Sequence, residues 1–316
     1  MTKTGELDRT KGAAVDATPA PRLHWYVEIS LVIGFYLIYS MVRNQFGSAS
    51  VHPAQAFSNA LQVIHVERAL DLFVEVTIQE TFLGWRPFMQ VWNVFYGTFH
   101  FVVTAAVMIL LFRRSPARYR RWRTIQGFTT ALALIGLSLY ALMPPRLLGD
   151  IGPFGGHSLQ YRFIDSLADF GGLWSFSSGG MKSLSNQYAA MPSLHVAWAT
   201  WCALAIWPLL RHRWSRGLFI AYPFVTLFAV VVTANHYWLD GLGGLIALAL
   251  GVGLTICTVG AMGRVRGRWD RHRADARGST QPSAPTSSAS AQASTPDDAM
   301  AAIGSGASTD DPVPTG

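Results

Sequence analysis

Six apolar runs constrain this chain more than any other feature. Each lies near the roughly 20 residues that about 30 Å of hydrocarbon asks of a helix. They extend from near Trp25 to Val42, Phe88 to Phe112, Thr124 to Met143, Leu194 to Leu210, Gly217 to Thr233 and Leu239 to Met262. The expected fold is therefore all-α: a polytopic membrane protein built as a six-transmembrane-helix bundle. The net charge of +7 does not indicate a nucleic-acid partner, because the basic residues gather at the ends of the apolar runs. That clustering is the orientation signal of a membrane protein. Nineteen of the 25 Lys and Arg residues fall on one side of a six-span arrangement, in the N-terminal segment, at 113–123, at 211–216 and at 264–277. Positive-inside then puts both termini in the cytoplasm and residues 144–192 on the other face of a multi-pass cell-membrane protein.

The remaining segments read as follows. Residues 1–22 are polar, basic and disordered in expectation, and the first apolar run lacks a small-residue cleavage site, so it is a retained anchor. Residues 23–265 form the membrane domain, and 266–316 are a basic, then low-complexity, disordered cytoplasmic tail. Cys202 and Cys257 lie inside predicted spans and indicate neither a disulfide framework nor a metal knuckle. Between the first two runs, 54–79 reads as an interfacial helix. Its Glu67, Asp71 and Glu75 stand at successive i,i+4 positions, where like charges repel. A solvated stripe is the first reading of these three, and a head-group or cation site the second. The second run carries Asn93, Tyr96 and His100 on one face, and polar groups inside a bilayer usually face the bundle interior. For His100 an interhelical hydrogen bond and a substrate contact are both open. The Gly- and Ser-rich loop 147–190 is long enough to be functional in its own right.

Chemistry concentrates in three short stretches: Pro144, Pro145 and Arg146; Pro192, Ser193, Leu194 and His195; and His236 to Asp240. A Pro just ahead of a helix start is pre-set for a first turn. Both histidines then sit near helix N-termini, where unpaired N–H groups and the dipole favour an anion such as a phosphate ester. Placed i,i+4, Asp240 can orient the His236 imidazole and leave its other nitrogen free as a nucleophile for phosphorus. His195, on a different helix, can protonate the departing oxygen. Arg146 presents a planar fork that matches phosphate oxygens, and Ser193 can complete the cradle with backbone N–H groups. Each residue alone also has a structural reading: a membrane His is commonly a satisfied hydrogen bond, and an Arg after two prolines can anchor at head groups. Their common placement on the face opposite the basic one favours the combination.

These three stretches resemble the signature motifs of the type 2 phosphatidic acid phosphatase superfamily. The variant is most similar to its inositolphosphotransferase-like branch, which includes fungal inositol phosphorylceramide synthase. The resemblance spans roughly residues 25–262. It implies that His236 is the nucleophile and forms a phosphohistidine, that Asp240 orients it, and that His195 is the leaving-group acid. Two positions depart from the larger branch: Leu139 stands where that branch has a Lys, and Val230 where it has an Arg. Lys182, Arg162, Tyr96 and His100 are candidates to replace those cations, with Tyr96, His100 and Lys182 the candidate substrate contacts. The expected activity is metal- and cofactor-free cleavage of a membrane lipid phosphate at the non-cytoplasmic face. The first alternative is a phosphotransferase that passes the phosphoryl or phospho-head group to an alcohol such as inositol. The other class is a transporter or structural membrane protein. A transporter's polar groups should line the midplane, with broken helices and repeats; here they sit at span ends on one side.

The charge distribution has a direct test. Reporter fusions after Ser115 and after Gly172 should report opposite sides of the membrane; equal reporter activity at both sites would sink the six-span arrangement.

Overall fold

The computed structural model describes residues 23–46, 51–158, 160–171 and 187–278. The segments expected to be disordered, 1–22 and the tail beyond 278, lie outside them, as do Lys182 and the rest of 172–186. In chain order the helices are α1 (Trp25–Phe46), α2 (Pro53–Ala69), α3 (Glu75–Leu83), α4 (Arg86–Arg114) and α5 (Pro116–Leu139). A 3-10 turn at Pro145–Leu147 and α6 (Ser166–Phe170) follow, then α7 (Leu194–Ile206) with a 3-10 turn at Trp207–Leu209, α8 (Arg213–Val232) and α9 (Trp238–Gly278). Among the described residues no strand forms, and one isolated bridge pairs Leu142 with Ala189. The chain divides into two compact units, residues 1–264 and 265–316. The site lies wholly in the first.

Prolines set several of the helix starts. Pro53, Pro87 and Pro116 occupy first-turn positions, where a missing N–H costs nothing. Pro144 and Pro145 end the helical path beyond α5: Leu142 leaves the helix and donates its N–H to the Tyr188 carbonyl at 2.9 Å. The third apolar run is therefore shifted, beginning with the arginines at Pro116 and ending at Leu139 rather than Met143.

Among the described residues three helices, against the six runs expected, are long and apolar enough to cross a membrane: α4, α8 and the Trp238–Arg273 part of α9. Two shorter apolar helices, Trp25–Ile38 and Leu194–Leu209, accompany them. Large apolar side chains stay exposed along these elements, among them Phe101 and Val102 on α4, Phe224 on α8 and Leu250 on α9. Apolar surface of that extent is what lipid covers in a membrane protein.

A helix that is apolar on every side must be enclosed, and α7 is. It packs against α4, α5 and α8, with Ala199, Trp201, Cys202 and Ala205 fully buried. The Trp201 indole N–H donates to the Trp122 carbonyl at 2.9 Å, tying α7 to α5. α1 joins α5 through Glu28, which accepts from the Tyr119 hydroxyl at 3.0 Å and pairs with Arg123. Glu28 is thus buried between the two helices.

Two expectations for residues 54–79 are overturned. The segment is not one helix: α2 stops at Ala69, Asp71 takes a left-handed φ of 55°, and α3 begins at Glu75. Nor do its acids form a solvated stripe. Asp71 is exposed, whereas Glu67 and Glu75 are fully buried. The break at Asp71 destroys the i,i+4 register and lets both glutamates turn inward.

The start of α9 comes against the start of α7 at Gly244. A Cβ there would lie 2.2 Å from the Ser193 carbonyl oxygen, so only glycine permits the approach. Gly253, on the same helix, has nothing within 4 Å of that position. Gly244→Ala should therefore lower unfolding stability in detergent by roughly 1–3 kcal/mol through overpacking against backbone. Gly253→Ala should raise it by about 0.5–1 kcal/mol through helix entropy alone. Thermal melts of the two variants side by side check the contact.

Candidate active site

The bonds that assemble the site run between the three stretches singled out in the sequence. The Ser193 N–H donates to the Asp240 carbonyl at 2.9 Å, which fastens the start of α7 to the first turn of α9. The Arg146 N–H donates to the Ala234 carbonyl at 2.9 Å, which fastens the turn after Pro144 to the segment before His236. Ala234 adopts a left-handed φ of 53° in doing so, a conformation that costs a non-glycine residue of order 1 kcal/mol. The surrounding bonds over-determine it: the Asn235 and His236 N–H groups both donate to the Val230 carbonyl.

His236 lies two residues ahead of α9, not on it as the i,i+4 spacing suggested. Its Nδ1 is 3.2 Å from the Asp240 Oδ2, because Asp240 folds back over the helix start and also accepts the Tyr237 N–H at 2.9 Å. Both side chains are buried. A carboxylate on Nδ1 selects the tautomer with the proton there and leaves Nε2 as a free lone pair. His195, in the first turn of α7, stands with its ring 5.4 Å from that of His236. It is held on its other sides by Tyr96, stacked at 4.5 Å, and His100 at 4.2 Å. The His195 Nδ1 has no hydrogen-bond partner among the described residues. His100 approaches the Tyr96 carbonyl through Nδ1 at 3.0 Å, so the two α4 groups act as one wall.

Asn93, on the same α4 face, does something else. Its amide donates to the carbonyls of Ser166 and Gly171 at 2.7 and 2.9 Å and accepts the Ser166 hydroxyl at 2.9 Å. With Gln79 clamping both the N–H and the carbonyl of Ile164, it moors the 164–171 part of the long loop to α3 and α4.

Arg146 is more engaged than the sequence implied. Its Nε donates to the Asn235 Oδ1 at 2.9 Å, one terminal nitrogen to the Asp165 Oδ2 at 2.8 Å and the other to the Gln187 Oε1 at 3.2 Å. A guanidinium has five N–H donors, so two remain for a ligand. Asp165, Asn235 and Gln187 escaped the sequence reading. Asn235 had a signal in standing next to His236, whereas the other two are brought in by the fold. Ser193 is buried and its Oγ has no partner among the described residues. No hydrogen bond is made by the Leu194, His195 or Val196 N–H groups among the described residues either. The start of α7 thus offers an unpaired hydroxyl and a turn of free N–H groups, the arrangement that receives an oxyanion. The start of α9 does not, contrary to the symmetric expectation: the N–H groups of Tyr237, Trp238 and Leu239 are taken by the carboxylates of Asp240, Glu75 and Glu67.

The two departures noted in the sequence have structural places. Leu139 is 82 % exposed at the end of α5, and Val230 is fully buried in an apolar cluster with Val196 and Val231. Neither position supplies charge to the site. Arg162 is exposed on the loop, and Lys182 lies outside the described residues. Beside the site an open apolar groove of about 500 Å³ runs between α2 and α5, with Val63, Val66, Tyr140, Met191, Pro192 and Leu239 on its walls. Met191 and Pro192 lead directly into Ser193, and Leu239 adjoins Asp240.

The family model of the PAP2 superfamily matches residues 61–254, more than half of the chain. The chain belongs to the PAP2 superfamily. The matched span contains Arg146, Ser193, His195, His236 and Asp240 as well as the α2 and α3 glutamates. No curated protein and no solved structure matches the chain. Membership in the PAP2 superfamily carries, in general, hydrolysis or transfer of phosphoesters on lipid phosphates; the apolar helices agree with a membrane setting.

Proposed function

We propose that this PAP2 protein cleaves a lipid phosphate through a phosphohistidine on His236 and hands the phosphoryl group to water. The observation that carries the reading is the approach of the His195 and His236 rings to 5.4 Å beside the start of α7, with Arg146 fastened to the segment just ahead of His236. The His236 Nε2 attacks phosphorus and the P–O ester bond breaks. The departing lipid alkoxide takes a proton from His195, while the Nδ1–H···Asp240 bond stabilises the imidazolium that forms. Water then attacks the phosphohistidine, His195 accepts its proton, the P–N bond breaks and inorganic phosphate leaves. Through both steps the phosphoryl oxygens rest on the remaining Arg146 donors, the Ser193 hydroxyl and the N–H groups at the start of α7. Tyr96 and His100 hold the His195 ring against the leaving group, and the groove beside Met191 and Pro192 takes the lipid's apolar part. In the cell membrane this corresponds to six spans, the helix-starting ends of α7 and α9 facing away from the cytoplasm, and residues 266–316 as a cytoplasmic tail.

The reading is tested on the purified protein with a panel of lipid phosphates. His236→Ala should abolish turnover, lowering kcat by at least about 10³-fold as expected when a nucleophile is lost, and quenched wild-type protein should carry acid-labile phosphate. His195→Ala should slow formation of that intermediate most for poor leaving groups. An active His236→Ala protein would falsify the mechanism.

One observation favours a second reading, transfer to an alcohol, as in the inositolphosphotransferase-like branch. A transferase has to keep water from the phosphohistidine, and the described 160–171 stretch is moored over the site by Asn93, Gln79 and the Arg146–Asp165 pair. Supplying lipid phosphate with and without inositol or glycerol, and measuring free phosphate against new phosphate ester, separates the two. Hydrolysis should dominate; predominant transfer at roughly millimolar alcohol would replace water with the alcohol as acceptor, the same histidine serving both.

A further inference from the structure

Glu67 and Glu75 belong to none of the three catalytic stretches, yet both are fully buried. α2 and α3 deliver them to the start of α9. The Glu75 Oε1 accepts the Trp238 N–H at 3.3 Å, and the Glu67 Oε1 accepts the Leu239 N–H at 2.9 Å. The two carboxylates thus sit on the N–H groups of adjacent residues, and each leaves a buried Oε2 with no hydrogen-bond partner among the described residues. Two ionised carboxylates can only accept hydrogen bonds, so two buried ones on adjacent N–H groups would repel each other and leave both Oε2 atoms unpaired, which a proton held between them relieves. Neither glutamate forms an ion pair among the described residues. The titratable groups facing them are each other, Asp240 from α9 and Tyr237 just ahead of it. With no proton, the pair would set two more anions against Asp240. With two, one O–H would lack an acceptor. A single proton satisfies both Oε2 atoms.

We propose that Glu67 and Glu75 share one proton and together cap α9 so as to fix His236 against Asp240, making them positioning residues for the phosphate chemistry. Trp238 and Leu239 lie between His236 and Asp240, so both anchors fall inside the five-residue segment that carries the pair. A slip of either anchor changes the His236–Asp240 geometry before anything else. Burial pushes Glu67 up to about 9, and the neighbouring carboxylates of Glu75 and Asp240 act in the same sense.

The proposal rests on the phosphohistidine reading for its kinetic consequences alone, and its test has a readout that does not. Glu67→Gln and Glu75→Gln keep a carbonyl oxygen for the backbone N–H and offer an amide N–H to the remaining carboxylate. Glu67→Ala and Glu75→Ala remove the cap. Each full-length variant is purified in detergent. The 15N signals of the His236 imidazole, assigned by their loss in His236→Gln, report its bond to Asp240. The alanine variants should shift those signals and lower kcat by roughly 10- to 100-fold with KM changed less than about 3-fold, the pattern of a misplaced reacting group. The glutamine variants should keep wild-type signals and kcat near pH 7.

Stability gives an independent check. Glu67 loses its proton near 4.5 when unfolded and only near 9 when folded. The stability this contributes is complete below about pH 4.5 and falls away as pH rises to about 9. Thermal unfolding should follow that slope in the wild type and be flatter in Glu67→Gln. Unmoved His236 signals and full kcat in folded alanine variants would overturn the positioning role. Glutamine variants as impaired as alanine, or an unchanged pH slope in Glu67→Gln, would overturn the shared proton. If the alanine variants do not fold, the glutamine variants and the slope decide. If the wild type turns over no lipid phosphate, the phosphohistidine reading fails and the imidazole signals still decide the cap.

Discussion

The Ser193 N–H···O=C Asp240 hydrogen bond is the contact on which the site depends. It joins two helix starts that the sequence separates by forty-seven positions, and it forms only because Gly244 lets the backbones touch. Remove the contact and His195 and His236 belong to different parts of the bundle. With it, their rings stand 5.4 Å apart.

The two helix starts look alike in sequence and do opposite work. At α7 the first-turn N–H groups and the Ser193 hydroxyl have no partners, leaving positive potential for an incoming oxyanion. At α9 three carboxylates occupy the equivalent N–H groups. Those carboxylates hold the backbone around His236, with Asp240 against its Nδ1. One terminus is left open and the other is closed by side chains.

Arg146 shows how few charges the site uses. Two cations expected from the wider superfamily pattern are replaced by an exposed Leu139 and a buried Val230. The guanidinium that remains is fixed by Asn235, Asp165 and Gln187. Fixing it costs donors, but a fork that is already oriented loses little entropy when phosphate arrives. The same Asp165 that orients Arg146 also caps α6 by accepting the Ala168 N–H.

The sequence by itself determined that the chain is helical and roughly where most of the long apolar helices run, because apolar runs and prolines at their ends are local signals. It also singled out the candidate site residues, since Arg146, Ser193, His195, His236 and Asp240 stand in three short stretches. Tyr96 and His100 were legible as a polar face on an apolar helix, though their contact with His195 was not. Tertiary structure alone decided the partners. Glu67 and Glu75 read as a solvated i,i+4 stripe until the turn at Asp71 broke the register and buried them against α9. Asp165 and Gln187 reach Arg146 across 19 and 41 residues, with nothing local to mark them. The physical reason is the same throughout. Helix formation depends on neighbours along the chain, whereas a buried polar group takes whatever partner the fold brings within about 3 Å.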